Sequence, residues 1–310
     1  MIIELCDRTC GCAVGAAVGD ALGMPLEFGT KRPADQLVRD MRPGDVRPLP
    51  AGHFTDDTEM ALALAESLQA HKPLDPADLA LRFVDWYRTG PADIGMQTYR
   101  ALSRVMNGMG WEEAAQAAQA ECPDSAGNGS VMRAWPVALG YFNNLPGLLA
   151  DSRQQSRVTH AHPECVAGSA FVNATIYYLL DGELAAQAVA LALDAAEISG
   201  ELRAVIEAAP QRTREDLENS GWVRHTLESA VWGLLTTDSF EEAVVQVVNL
   251  GQDADTAGAV VGALGGAHYG IEAIPQRWRR ALRGQWPLRS GRLWQAADLA
   301  ALADRLVGLG

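Results

Sequence analysis

His53-Phe54-Thr55-Asp56-Asp57-Thr58-Glu59-Met60 sets two adjacent carboxylates and two flanking hydroxyls at the start of the apolar run 61–68. That run is apolar nearly all round and carries no breaker, so it reads as a buried helix. A second acidic knot, Gly251-Gln252-Asp253-Ala254-Asp255-Thr256, opens the small-residue helix 257–270. Both knots have two Asp and at least one Thr at a helix N-terminus. Capping explains part of this, since Asp56 and Glu59 have capping-box spacing. It leaves an excess, because one cap needs one side chain and each knot offers three oxygen donors. If the fold joins the knots, four carboxylates repel unless a cation lies between them. Oxygen donors from Asp and Thr are hard and suit Mg²⁺ or Mn²⁺ rather than Zn²⁺.

Two glycine ridges bracket these knots. Gly11, Gly15, Gly19 and Gly23 recur every fourth residue in a helix expected over 9–24, and Gly258, Gly262, Gly266 and Gly270 repeat the spacing. Gly weakens a helix, so such a ridge implies close backbone approach by another element. The two ridged helices are expected to pack on each other, or each on a crowded neighbour. Further helices are expected over 78–88, through Tyr99, Leu102 and Met106, and over 111–121, 145–157 and 163–180. Two more fall within 183–208, and others at 222–235, 239–250, 275–282 and 293–306. No alternating strand pattern is present. The fold class is therefore all-α, a compact multi-helix bundle in one domain spanning 1–310. Residues 30–52, rich in Pro, Arg and Asp, read as a long surface loop or lid.

The chain has 310 residues and is 48% hydrophobic, enough for a sizeable core. Its formal charge of −14 argues against non-specific nucleic-acid binding. Five cysteines, an odd number without metal-site spacing, read as reduced thiols of a cytoplasmic protein. Glu4, Asp7 and Arg8 interrupt the opening residues, so no signal peptide is expected. The apolar run 11–19 stops at Asp20, too short to span a bilayer.

Smaller features complete the set. Glu27 is a lone carboxylate among apolar residues: a loop residue, or a ligand or base if it faces the cation. Asp93, in Asp93-Ile94-Gly95, caps the following helix or joins the site. Ala126-Gly127-Asn128-Gly129-Ser130 running into Val131-Met132-Arg133 is a plain turn, or an anion site at a helix start with Arg133 adding charge. His160 and His162 bind a metal, cap a helix or meet a ligand.

Taken together, these pieces resemble the ADP-ribosylglycohydrolase family, and within it the bacterial branch typified by the dinitrogenase reductase-activating glycohydrolase. The resemblance runs from about Gly11 to Trp278 and rests on seven short segments in the family's order. These are 18–23, 26–28, 55–60, 93–95, 126–129, Thr159-His160-Ala161-His162-Pro163 and Asp253-Ala254-Asp255-Thr256. It implies a compact all-α fold around a central dinuclear cleft holding two divalent cations, Mn²⁺ or Mg²⁺. Thr55, Asp56 and Asp57 would ligate metal from one side, and Asp253, Asp255 and Thr256 from the other. Glu27 would bind metal-bound water or the substrate ribose, and Asp93 would handle protons at the scissile bond. Gly127, Asn128, Gly129 and Ser130 would cradle the diphosphate, and His160 would contact the ADP-ribose. The implied reaction removes ADP-ribose from an ADP-ribosylated protein, with arginine as the modified side chain. Rival readings are an O-linked (serine or small-compound) ADP-ribose hydrolase, a non-catalytic ADP-ribose-binding member and an unrelated metal phosphohydrolase. Gln252 stands where the family pattern has Gly, which would narrow the approach to the second knot. The Trp222–Thr226 stretch departs from the near branch as well, and bears on the protein substrate.

Overall fold

The computed structural model describes residues 4–308. Among these, fifteen α-helices follow one another: α1 Leu5–Gly23, α2 Asp56–Ala70, α3 Pro76–Arg88, α4 Met96–Met106 and α5 Trp111–Glu121 come first. Then follow α6 Trp135–Gly140, α7 Leu145–Arg157, α8 Pro163–Leu180, α9 Ala185–Ala195 and α10 Gly200–Ala208. The last five are α11 Val223–Thr236, α12 Phe240–Val248, α13 Ala254–Tyr269, α14 Gln276–Ala281 and α15 Ala296–Val307. The all-α reading holds, with one small departure. Gly284–Gln285 (β1) and Leu293–Trp294 (β2) pair antiparallel, so the last helix begins at Ala296 rather than at 293. Two residues per strand are too few to show alternation in a sequence.

The two glycine ridges meet. Helices α1 and α13 run side by side in the core, and a Cβ on Gly15 would lie 2.3 Å from the Gly262 carbonyl oxygen. At Gly19 the corresponding distance to Gly258 O is 1.9 Å. Only hydrogen fits there, so the backbones approach as no other residue would allow. Around this pair the core is built from both helices' Ala and Val and from Met60, Leu62 and Leu64 of α2, Trp135 of α6 and Phe171 of α8.

Helix α1 and the turn Met24–Leu26 after it are long and apolar enough to cross a membrane, with a mean hydropathy of 1.3. Asp20 does not end the apolar stretch as the sequence implied, and the helix runs on to Gly23, close to the expected 24. Its apolar window is wholly buried inside the protein, the usual state of a core helix.

The segment 27–55 is irregular, as expected, but it is not a free flap. Asn249, fully buried, accepts from Val38 N at 2.7 Å and donates to Val38 O at 2.9 Å. Trp278 Nε1 donates to Arg39 O at 3.0 Å. These bonds pin the loop's middle and leave Glu27 at one end and Thr55 at the other beside the α1–α13 pair.

Candidate active site

The site begins with Asp20, in the last turn of α1. Its fully buried carboxylate accepts from Thr55 N at 3.0 Å and Thr58 N at 3.2 Å. It also accepts from the hydroxyls of Thr55 at 2.9 Å and Thr58 at 2.6 Å. The N-terminus of α2 is thus capped by another helix, and Thr55 makes no side-chain cap of its own. Glu59 does not close a capping box either, because it accepts from Trp86 Nε1 at 2.7 Å. With the cap supplied from outside, Asp56 and Asp57 are free to face the cleft. Sequence reasoning quoted Asp20 and gave it no role. The available signal was a lone charge inside an apolar, glycine-ridged helix.

The second knot sits across from the first because α13 lies against α1. Asp253 occupies the N-cap position of α13 without capping it. Its Oδ2 accepts instead from Asn128 Nδ2 at 2.8 Å. Asp255 accepts only from the adjacent Thr256 N, at 3.0 Å. Glu27 joins them: carboxylate oxygens of Glu27, Asp253 and Asp255 lie within 4.8 Å of one another. Phe28 N donates to Gln252 O at 2.7 Å, and Gln252 N to Gly29 O at 2.8 Å. These reciprocal bonds fasten the Glu27 turn to the second knot. Phe28 and Gln252 both adopt positive φ, 61° and 54°, to make them.

Burial and mutual repulsion set the electrostatics. Burial pushes the carboxyls of Asp56, Asp57 and Asp255 well above the usual range. Each also feels like charges: Asp93 and Glu59 act on Asp56, Asp20 on Asp57, and Glu27 and Asp57 on Asp255. Burial lifts Glu27 to about 7, against the opposing effects of Asp255 and Arg47.

Arg47 is a site residue that the sequence hid. It comes from the irregular segment, and its side chain is only 11% exposed. Its guanidinium lies 2.5 Å from Glu27 Oε2, 2.6 Å from Asp93 Oδ2 and 3.7 Å from Asp255 Oδ2. The directed hydrogen bond goes to Glu27 Oε1 at 2.9 Å, so Oε2 gains charge without an aligned donor. Asp93 does not cap α4, whose N-cap is Gly95. With 35% of its side chain exposed, Asp93 stands at the mouth.

The Gly127–Gly129 loop lines the same cleft beside the second knot. Asn128 ties it to Thr226 Oγ1 at 2.9 Å as well as to Asp253. His160 packs under it: a Cβ on Gly129 would lie 2.9 Å from His160 Cε1, and one on Gly127 3.2 Å from Nε2. His160 Nδ1 is 2.8 Å from Thr159 Oγ1, and burial lowers its pKa to about 3, so the ring is neutral. His162 does not join it. It caps α8 by accepting from Glu164 N at 3.2 Å.

Of the two sequence readings of this stretch, the plain turn holds and the anion site at a helix start does not. Residues 130–133 form turns, and the next helix starts only at Trp135, so this loop presents no helix N-terminus of its own to the cleft. Ser130 turns its side chain inward to Ser156 Oγ at 2.9 Å and Ser169 Oγ at 3.1 Å. Arg133 is fully buried, bonded to Gln155 and Thr159 Oγ1 (2.8 Å) and stacked 4.5 Å over Phe83. Burial lowers its pKa to about 9. It supports the acidic centre from behind and does not face the cleft.

Glu27, Asp56, Asp57, Asp93, Gly127, Asn128, Gly129, His160, Asp253, Asp255 and Thr256 all line one cleft of about 650 Å³. Thr55 lies behind Asp57, its hydroxyl 3.0 Å from Asp57 Oδ2, and is not part of the lining. Gln252 lines the cleft too.

A model of the family described as ADP-ribosylglycohydrolase matches residues 1–310. The chain belongs to the ADP-ribosylglycohydrolase family. An ADP-ribosylarginine hydrolase Tri1 of Serratia proteamaculans is 35% identical over 294 residues, covering 89% of this chain and 75% of the relative. The ADP-ribosyl-[dinitrogen reductase] glycohydrolase of Rhodospirillum rubrum is 34% identical over 284 residues, covering 88% of this chain and 89% of the other. A solved structure titled ADP-ribosylglycohydrolase-related protein complex superposes with a TM-score of 0.80 at 34% identity, covering 99% of each chain.

Metal dependence goes with this family, and the residues of this chain fit a hard divalent cation. Asp57 Oδ1 is buried without any partner, and the Thr256 hydroxyl meets only the Met132 sulfur at 3.8 Å. The oxygens of Glu27, Asp253 and Asp255 converge. Such a donor set, all oxygen and mostly carboxylate, is left repelling itself without a cation.

Proposed function

We propose that the chain hydrolyses the N-glycosidic bond between ADP-ribose and an arginine side chain of a protein, releasing ADP-ribose. The observation that carries this reading is the meeting of both acidic knots and Glu27 in one cleft that is also lined by the Gly127–Gly129 loop over His160. The cleft volume of about 650 Å³ suits a ligand of nucleotide-sugar size. The names of the Serratia and Rhodospirillum relatives support arginine as the modified residue.

Asp56, Asp57, Asp253, Asp255 and Thr256 would hold two divalent cations, Mn²⁺ or Mg²⁺, with Thr55 supporting Asp57. Bound there, the cations would supply positive charge that orients ribose hydroxyls and water and stabilises developing charge. The chain's own groups do the rest. The backbone of Gly127 and Gly129 offers N–H groups to the diphosphate, where side chains would be in the way, while Asn128 N is held by Gly221 O at 3.0 Å and Ser130, buried outside the lining, supports the loop from behind. Neutral His160 backs that loop and presents its ring edge to the ligand. Water adds across the C1″–N bond: a C1″–O bond forms, the C1″–N bond breaks, and a proton goes to the guanidine nitrogen. Glu27 and Asp93 are the carboxylates that hold and move that proton. Glu27, lifted to about 7, is poised to exchange one near neutrality. Asp93, at the mouth, is on the side from which the arginine enters.

The test is incubation with an ADP-ribosyl-arginine peptide, with Mn²⁺ or with EDTA, following free ADP-ribose. Release with Mn²⁺ that stops in EDTA and in Asp57→Asn supports the proposal. Absence of release from that peptide, with release from an ADP-ribosyl-serine peptide, would replace arginine by the O-linked substrate.

A further inference from the structure

At the opposite end of α1 from Asp20 lies a second cluster of metal-ligating side chains. Cys6 and Cys10 are one helical turn apart and both face Asp304 of α15. Their sulfurs are 4.0 Å apart. Asp304 Oδ1 is 3.3 Å from Cys6 Sγ and 3.5 Å from Cys10 Sγ. A tetrahedral zinc ion with Zn–S of about 2.3 Å and Zn–O of about 2.0 Å has an S···S edge near 3.8 Å and S···O edges near 3.5 Å. The three observed separations match the three edges of one face of that tetrahedron to within a few tenths of an ångström. From residue 6 to residue 20 the helix rises about 21 Å, so this cluster is separate from the acidic cleft.

We propose that Cys6, Cys10 and Asp304 bind a thiophilic divalent cation of the zinc class, with water completing the shell. Cys10 is buried and Asp304 half-buried, while Cys6 is exposed, which gives an ion a path in from solvent. Without an ion, both thiols are held protonated: contact with Asp304 and burial raise Cys6, and burial foremost raises Cys10. Binding therefore exchanges two S–H protons for two metal–sulfur bonds and releases two protons, while the carboxylate ligates as it stands. The cation joins the first turns of α1 to α15, residues 298 positions apart in sequence. It stabilises the folded chain by mass action, since the unfolded chain does not hold the three ligands together.

The experiment uses the full chain, reduced and stripped of metal, with excess Mn²⁺ added to occupy the oxygen-lined cleft. Cd²⁺ is titrated as the probe, and the ultraviolet sulfur-to-cadmium charge-transfer absorption is read. The expected result is saturation at one equivalent with two protons released per ion. Cys6→Ser, at an exposed position, should roughly halve the absorption and weaken binding tenfold or more. Asp304→Asn should weaken binding while keeping the absorption. Zn²⁺ should raise the unfolding temperature of the parent chain and not that of Cys6→Ser. No absorption at stoichiometric Cd²⁺, or an undiminished band in Cys6→Ser, would overturn the proposal and leave two thiols hydrogen-bonded to a carboxylate.

Discussion

Replacing Gly19 by Ala tests whether the contact between α1 and α13 sets the geometry of the cleft. The new Cβ would lie 1.9 Å from Gly258 O and 2.4 Å from Gly258 C, both backbone atoms of a helix in the core. Ordinary contact begins near 3.4 Å, so the helices must part locally by about 1.5 Å. Overpacking a core costs about 1–3 kcal/mol, and occasionally more. A rigid backbone obstacle puts Gly19 at the upper end, and the helix preference of Ala returns about 1 kcal/mol. The net expectation is destabilisation by about 2 kcal/mol or more, read as a lower urea midpoint. Asp20 follows Gly19 directly, while Asp253 and Asp255 stand at the start of α13, so the same displacement moves both walls of the acidic site. A misplacement of about 1 Å can cost on the order of 100-fold in rate, so kcat/KM for ADP-ribosyl-arginine should fall at least that far. Gly140→Ala is the control, because its Cβ would meet only Leu68 Cδ1 at 4.0 Å. It should stay within about 0.5 kcal/mol of the parent. If Gly19→Ala proved as stable and as active as Gly140→Ala, the argument from close backbone approach would be wrong.

Three further outcomes are expected. In EDTA, stability should fall as pH rises from about 4 through 7. Asp20 (about 6), Glu27 and Glu59 (both about 7), and Asp56, Asp57 and Asp255 have folded pKa values raised above their unfolded ones. Their stabilising protonation is complete below the unfolded values and is lost through the folded ones. Urea midpoints at pH 5.5 and 7.5 check this, and saturating Mn²⁺, which takes up the charge of the cleft carboxylates but not of Asp20 and Glu59, should shrink the difference. Arg47→Ala should destabilise the metal-free protein by about 3 kcal/mol, because it strands Glu27 and Asp255 without their cation. The loss should be much smaller with Mn²⁺, and an equal loss in both states would refute the charge-compensation account. Gly129→Ala should push against His160, 2.9 Å from the new Cβ, and raise KM for the substrate more than it lowers kcat. Steady-state kinetics separate the two effects.

The amino-acid order alone determined most of the helices, because apolar periodicity and breakers act within a few residues. Helices α5, α7 and α8 begin and end where the pattern said. It also marked the two glycine ridges and the two acidic knots, since each is a local run with more glycine or more carboxylate than a helix or a cap needs. Which surfaces would meet was decided only by the packed chain. Asp20 caps α2 across 35 residues, and Arg47 enters the acidic centre from a segment with no periodicity at all. Ser130 and Arg133 look like anion ligands in a row of letters, yet the turns after Asn128 point both inward. A side chain's direction depends on which backbone atoms its neighbours have already satisfied, and those neighbours lie far away along the chain.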